Sequence, residues 1–190
     1  MKLLKTVITL TLVAATSAYA QSPMNVVTKP TAPAPKKEAV ITELGWMDQN
    51  KMEQELSALN DLTQTKLGTP LRTDLSDLDT MQRLIDKNFV DQDDYETQQA
   101  MGVALGKLIL ADFPNTFEWK VYEDEIGRSR ALCVKQTSEC LFPVTMLSRR
   151  MEVGSKPNVK QIHTDAILRM EKFLPKLPYD GGIMYKLPRK

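Results

Sequence analysis

The residues best suited to chemistry are acidic and basic pairs in the second half of the chain. Asp124 and Glu125 are adjacent in a polar stretch that ends at Gly127, and Arg149 and Arg150 follow further along. Two carboxylates beside a guanidinium can perform acid–base chemistry, so Asp124, Glu125 and Arg150 define a hydrolase-type hypothesis. The alternative is a turn in which Asp124 accepts backbone N–H groups. Adjacent residues at a strand end point to opposite faces, which favours the turn.

The same basic pair and one tryptophan are candidates for binding instead of catalysis. Arg149 and Arg150 could hold an anion, or could pair with Asp124 or Glu125 across the fold. Trp46 precedes a predicted helix, which makes it a candidate surface anchor, and packing against that helix is the competing interpretation. The candidate binding residues are therefore Trp46, Asp124, Arg149 and Arg150.

The remaining reactive side chains do not form a catalytic or metal-binding set. His163 is the single histidine of the chain, and the sequence has no Gly-x-Ser-x-Gly elbow and no glycine-rich phosphate loop. Because it stands beside Ile162 and Ala166 on a predicted helix face, His163 is interpreted as a partly buried structural residue. Two cysteines are too few for a four-cysteine zinc cluster. We therefore predict no metal and no other cofactor.

The N-terminal residues have the layout of a secretory signal peptide. Lys2 and Lys5 precede a short apolar stretch at residues 7–15, and Ala18 and Ala20 are the small residues of a cleavage site. The alternatives are a membrane anchor and a buried helix. An anchor needs about 20 apolar residues, and this stretch is shorter. Cleavage after Ala20 predicts a periplasmic or secreted protein with no transmembrane segment in its mature form.

Composition divides the chain into three parts, namely a signal peptide at 1–20, a linker at 21–37 and a single domain at 38–190. The linker is rich in proline and poor in large apolar residues, which predicts flexible chain. Removal of the signal peptide changes the balance from 25 basic and 24 acidic residues to 23 and 24. A nearly neutral protein has no basic field for nucleic acid, so we predict no nucleic-acid partner.

The two cysteines have the spacing of a hairpin staple. If residues 135–138 form the loop of a hairpin, Cys133 opposes Cys140 and their Cβ atoms come within reach of a disulfide. Free thiols, a redox pair and a metal site are the alternatives. Redox pairs usually have a two-residue spacer, and a metal would need further ligands. An exported protein also meets an oxidising compartment, so we predict a structural disulfide.

Hydrophobic spacing predicts an α+β fold, in which N-terminal helices pack on a small antiparallel β-meander that a C-terminal helix follows. Asp93 and Glu96 are spaced as a capping box at the start of the third helix. Gly102 and Gly106 inside that helix indicate close packing within this domain, and contact with a partner or second copy is the alternative. The predicted helices are 47–65, 75–88, 94–112 and 159–174, the predicted strands are 117–122, 129–134 and 140–144, and irregular chain follows from 175.

Several short motifs follow one another in the second half of the chain. They are Leu105-Gly106, Phe117-Glu118-Trp119-Lys120-Val121, Asp124-Glu125 with Gly127, Arg130-Ala131-Leu132, Leu141-Phe142-Pro143 and Met146-Leu147-Ser148-Arg149-Arg150. In this order they resemble the bacterial family catalogued as domain of unknown function 3806, over about residues 100–168. The resemblance implies a single small domain in bacterial proteins. It supplies no catalytic residues, since that family has no established activity.

Taken together, these features favour binding over catalysis. They predict an exported, non-catalytic binding or interaction module of the cell envelope, whose partner is an envelope protein or a small ligand. The alternative function is the hydrolase-type enzyme with a site at Asp124, Glu125 and Arg150. A concave site that joins these three side chains would support the enzyme, and their separation would exclude it.

Overall fold

The computed structural model describes residues 38–179 and 181–185, so the predicted signal peptide and linker lie outside the described residues. The described strands form one antiparallel sheet in the order β1-β2-β3-β4, on which the helices pack, and the predicted α+β class is confirmed. No helix in this part of the chain has the length and apolar character needed to span a bilayer. The strands are β1 (Val40–Glu43), β2 (Phe117–Glu123), β3 (Arg128–Val134) and β4 (Cys140–Leu141), and the helices are α1 (Trp46–Leu67), α2 (Ser76–Asp86), α3 (Tyr95–Asp112), α4 (Pro143–Met146), α5 (Ser148–Met151) and α6 (Val159–Arg169).

The first three helices agree closely with the hydrophobic spacing. Helix α1 ends at Gly68, whose φ of +65° is the left-handed conformation that glycine adopts most easily. The predicted capping box of α3 is wrong by one residue, because the cap is Asp94 and not Asp93. The Asp94 side chain accepts a hydrogen bond from the backbone N–H of Thr97. A capping side chain must reach the second or third N–H of its helix, and Asp94 stands at that distance.

Helix α3 lies at the centre of the domain and touches its neighbours through its two glycines. A Cβ atom on Gly102 would lie 2.5 Å from the carbonyl oxygen of Pro143. A Cβ atom on Gly106 would lie 2.5 Å from the Cζ2 atom of Trp119. Both contacts are made within this domain, so the close-packing interpretation of the two glycines is confirmed. They allow β2 and α4 to approach α3 closely.

Three segments differ from the predictions. Strand β1 was not predicted, because its four residues are mostly exposed and give too short an alternation to be recognised. The predicted strand at 140–144 ends after two residues, and Pro143 begins α4, where the missing N–H of proline is harmless. Helix α6 ends at Arg169 and continues as a 3-10 turn at Glu171–Phe173, not as α-helix to residue 174.

The predicted disulfide is present between β3 and β4. Cys133 and Cys140 are partners in the antiparallel register, and their sulfur atoms are 2.03 Å apart. The backbone N–H of Val134 donates to the carbonyl of Glu139, as expected if residues 135–138 form the loop. The bridge holds β4 on the sheet directly before the chain turns into α4 and α5.

Two arginines of β3 connect the sheet to α1. Arg130 forms a bidentate pair with Glu55, with N···O distances of 2.5 and 2.9 Å; the Glu55 side chain is buried and the Arg130 side chain is nearly so. Arg128 forms a second bidentate pair with Asp48, which lies in the first turn of α1, at 2.9 and 2.6 Å. The hydrogen bonds from Arg128 lower the pKa of the Asp48 carboxyl. These pairs fix α1 across the helix-covered face of the sheet.

Candidate anion-binding cleft

Three arginines converge on one cleft between the short helices and α6. Arg149 and Arg150 belong to α5, and Arg169 is the last residue of α6. The cleft has a volume of about 260 Å³. Its lining also includes the half-buried ring of Phe142, which follows β4 directly. We call this feature the arginine cleft.

The arginine cleft carries an excess of positive charge. Arg149 and Arg169 make no side-chain hydrogen bond or ion pair with any residue that the structure describes, and Arg150 donates to the carbonyl oxygen of Met146 at 2.5 Å. Asp165 is the acidic residue in the lining, and it accepts a hydrogen bond from Gln161 instead of pairing with an arginine. Guanidinium groups present several N–H donors that match carboxylate and phosphate oxygens. The cleft is therefore suited to an anion.

The local sequence explains why these arginines face outward. In α5, Ser148 and Met151 are buried, so Arg149 and Arg150 remain on the exposed side. In α6, Ile162 and Ala166 line the cleft, and Arg169 follows three residues after Ala166 on the same helix face. Sequence reasoning missed Arg169. The helical spacing from Ile162 would have placed it on this face, but nothing in the sequence placed that face beside α5.

Asp124 lies in a neighbouring depression of about 380 Å³. Its Oδ1 atom accepts hydrogen bonds from the backbone N–H groups of Ile126 at 2.8 Å and Gly127 at 3.1 Å, which confirms the turn interpretation. The depression shares Phe142, Thr145 and Arg149 with the arginine cleft. We call it the hydroxyl depression, because Tyr122, Ser129 and Thr145 contribute side-chain hydroxyl groups to its lining.

The structure does not bring the proposed hydrolase residues together. Asp124 lines the hydroxyl depression, Arg150 lines the arginine cleft, and Glu125 lines neither of them. Trp46 is the first residue of α1 and is 76% exposed, so its ring does not pack against the helix that follows it. It also lines neither concavity. Of the four candidate binding residues, the structure therefore places Asp124, Arg149 and Arg150 around adjoining concavities and Trp46 elsewhere.

His163 is separated from these concavities by burial. Its side chain is fully buried instead of partly buried, and neither ring nitrogen has a hydrogen-bond partner within residues 38–179 and 181–185. Burial lowers the pKa of His163 to about 4, although the nearby Asp112 carboxylate acts in the opposite direction. Tyr185 packs near the imidazole and donates a hydrogen bond to Asp112 at 2.6 Å. No group of three metal-ligating side chains was found in residues 38–179 and 181–185.

Comparisons with known proteins bear on the family and the fold. Residues 77–163 match the family model described as domain of unknown function (DUF3806), which confirms the resemblance seen in the motifs. A crystal structure from Bacteroides thetaiotaomicron VPI-5482 has a TM-score of 0.62 and 15% sequence identity, over 72% of this chain and 50% of that chain. This likeness shows the fold alone, and this chain spans half the length of that protein. The search of curated proteins found no match.

Proposed function

We propose that this chain, whose residues 77–163 form a domain of the family of unknown function DUF3806, is an exported, non-catalytic binding module of the bacterial cell envelope. Its arginine cleft takes an anionic group of a small ligand or of another envelope component. The observation that carries this proposal is the convergence of Arg149, Arg150 and Arg169 on one cleft, with no carboxylate partner for any of them among the described residues. Like charges gathered in this way repel one another, and a bound anion relieves that repulsion.

The side chains around the cleft support binding more than catalysis. Acid–base catalysis needs a titratable group within reach of the substrate. Asp124 uses one carboxylate oxygen to hold its own turn, and His163 is buried away from the cleft. Asp165, the acidic residue of the lining, accepts a hydrogen bond from Gln161 on its own helix. Arginine remains protonated across the whole working range of pH. The groups that face the cleft can therefore orient and neutralise an anion.

Export is supported by the N-terminal sequence and by the cysteine pair. Residues 1–20 have the layout of a signal peptide, and disulfides persist in the periplasm and outside the cell. Mass spectrometry of the chain expressed with its own N-terminus in a bacterial host should show Gln21 as the first residue. Recovery of an intact Met1 in the periplasmic or secreted fraction would contradict cleavage, and recovery only from the cytoplasm would contradict export.

Anion binding can be tested with inorganic phosphate. Titration of the purified chain, followed by NMR, should shift the Nε–H signals of Arg149 and Arg169. Arg149→Gln and Arg169→Gln should each weaken phosphate binding at least about tenfold, because each removes a charged donor. Arg83→Gln is the matched control, since Arg83 is an exposed arginine of α2 that lines neither concavity. Equal phosphate affinity in all four proteins would overturn the proposed cleft.

A further inference from the structure

We infer that the arginine cleft and the hydroxyl depression form one two-part site for an anionic carbohydrate. This inference rests on the proposed function and adds the chemical class of the ligand. Phe142, Thr145 and Arg149 line both concavities, so the two adjoin at these side chains. The arginine cleft, at about 260 Å³, lies below the lower limit of about 300 Å³ for sites that hold small molecules, and the hydroxyl depression, at about 380 Å³, lies a little above it. Joined, they accommodate a ligand longer than a single inorganic anion.

The hydroxyl depression presents the polar groups that bind sugar hydroxyls. Tyr122 and Ser129 are cross-strand partners in β2 and β3, so their side chains are neighbours on the same face of the sheet. Neither hydroxyl has a hydrogen-bond partner among the residues that the structure describes. The Oδ2 atom of Asp124 is likewise without a partner there, because the turn uses Oδ1. A hydroxyl can both donate and accept, and a carboxylate oxygen accepts, which matches the hydroxyl rim of a sugar.

Two aromatic rings and the exposed side chain of Ile126 supply the apolar part of the depression. Tyr122 and Phe142 stand edge to face, with their centroids 5.0 Å apart, and both are half-buried. Such a pair leaves apolar ring surface next to the unpaired hydroxyl groups. A sugar ring has one face of C–H groups and a rim of hydroxyls, so it complements this combination. Arg149 lies where the two concavities meet, and it therefore places the anionic group beside the ring.

The same observations disfavour two other kinds of anionic ligand. A peptide bound by strand addition needs an unpaired sheet edge, yet Tyr122 and Ser129 belong to β2 and β3, which are interior strands. An acidic peptide held by the arginines alone is the competing outcome of the test below. A nucleic acid needs an extended basic surface, and the chain without its predicted signal peptide has 23 basic and 24 acidic residues. An acidic carbohydrate requires one patch of positive charge and one patch of hydroxyl and aromatic groups.

Calorimetric titration of the full chain with four probes tests the inference. Trigalacturonic acid carries three carboxylates on sugar rings, and N-acetylated, C-amidated triglutamate carries the same charge on a peptide. Maltotriose is the neutral sugar of equal length, and inorganic phosphate reports the arginine cleft alone. We expect trigalacturonic acid to bind at least about tenfold more tightly than each of the other probes, because it contacts both concavities.

Three substitutions separate the parts of the site. Ser129→Ala and Tyr122→Leu should each weaken trigalacturonic acid severalfold and leave phosphate affinity unchanged, whereas Arg169→Gln should weaken both. Phosphate binding without tighter binding of trigalacturonic acid would overturn the carbohydrate inference and leave the anion site intact. If triglutamate binds as tightly as trigalacturonic acid, the carbohydrate inference is overturned in favour of an acidic peptide as the ligand. Maltotriose bound as tightly would remove the anionic requirement, and no binding of any anion would overturn the proposed function as well.

Discussion

Two groups of arginines lie on this domain and have opposite surroundings. On β3, Arg128 and Arg130 each form a bidentate pair with a carboxylate of α1. Around the cleft, Arg149 and Arg169 have no carboxylate partner in the described chain. The first group connects a helix to the sheet, and the second leaves its donors available. Arginine content alone therefore says little about binding, because the partner of each guanidinium determines what it does.

Burial explains part of the difference. The Arg130 and Glu55 side chains are 10% and 5% exposed, and a buried charge without a partner is very unfavourable. Arg149, Arg150 and Arg169 are exposed, so water can solvate them when the cleft is empty. An arginine can remain without a carboxylate only where water or a ligand can reach it.

The largest effect is expected for the buried pair. Arg130→Met should lower the free energy of unfolding by about 3–5 kcal/mol, because Glu55 would remain as a buried charge. Because the Nζ of Lys51 is 3.8 Å from Glu55 and still partly neutralises it, we expect a loss near the lower end of this range. The double variant Glu55→Leu/Arg130→Met should regain most of it. Urea unfolding measures both, and a loss below about 1 kcal/mol in the single variant would contradict a structural role.

Acid should destabilise the domain through α6, which carries both His163 and Arg169. The pKa of His163 is lowered from 6.5 to about 4 by burial, so the unfolded chain binds a proton more readily than the folded one. Above pH 6.5 the imidazole is neutral in both states and the folded chain keeps its full stability. As the pH falls from 6.5 toward 4, proton binding favours the unfolded chain and the free energy of unfolding decreases. The total loss is about 3 kcal/mol.

Urea unfolding between pH 7.5 and 4.5 measures this slope. His163→Leu removes the titrating group, so the variant should be nearly independent of pH in that window. Arginine guanidinium groups stay protonated throughout this window. An unchanged slope in the variant would assign the acid sensitivity to other groups.

Loss of the disulfide should affect the cleft more than the α1 contact. The bridge joins residues seven positions apart, and a loop of this size stabilises by about 2.5 kcal/mol. Cys133→Ser/Cys140→Ser should show that loss and should also weaken phosphate binding, because β4 leads directly into the helices that carry Arg149. Arg130→Met should leave the phosphate affinity of the folded protein unchanged. Full phosphate affinity in the double serine variant would contradict the positioning role of the bridge.

The smallest effects on stability are expected for exposed arginines. Arg128→Gln should cost at most about 1 kcal/mol, since the Arg128 side chain is 51% exposed and water screens its pair with Asp48. Arg169→Gln should change stability by less than about 0.5 kcal/mol and should still weaken phosphate binding. Thermal melts and phosphate titrations of both variants check this contrast. Weaker phosphate binding in Arg128→Gln would extend the anion site to β3.

The elements that were predicted correctly have strong local patterns. Helices α1 to α3 repeat apolar residues at helical spacing, and the hairpin of β3 and β4 follows from the opposition of Cys133 and Cys140. The errors occur where the local sequence signal is weak, or where two adjacent residues give the same signal. Strand β1 is too short and too exposed for recognition, and Asp93 and Asp94 are adjacent acids of equal capping chemistry.

The site was only partly predictable for a different reason. Arg149 and Arg150 stood out as a pair, and Asp124 was correctly interpreted as a turn residue. Arg169 was missed because its significance depends on how α6 packs beside α5. Tyr122 and Ser129 were missed as well, since they matter only through the register of β2 and β3.

By itself, the sequence determined the α+β class, the disulfide and the resemblance of residues 77–163 to a known family model, because each depends on local spacing or on short motifs in order. Tertiary structure decided which charged residues act together. Glu55 and Arg130 are far apart in the chain and meet in the interior, whereas Arg149 and Arg169 line one cleft at the surface and pair with no carboxylate that the structure describes. Whether a guanidinium is neutralised depends on distances through space, and those distances exist only after the helices have packed on the sheet.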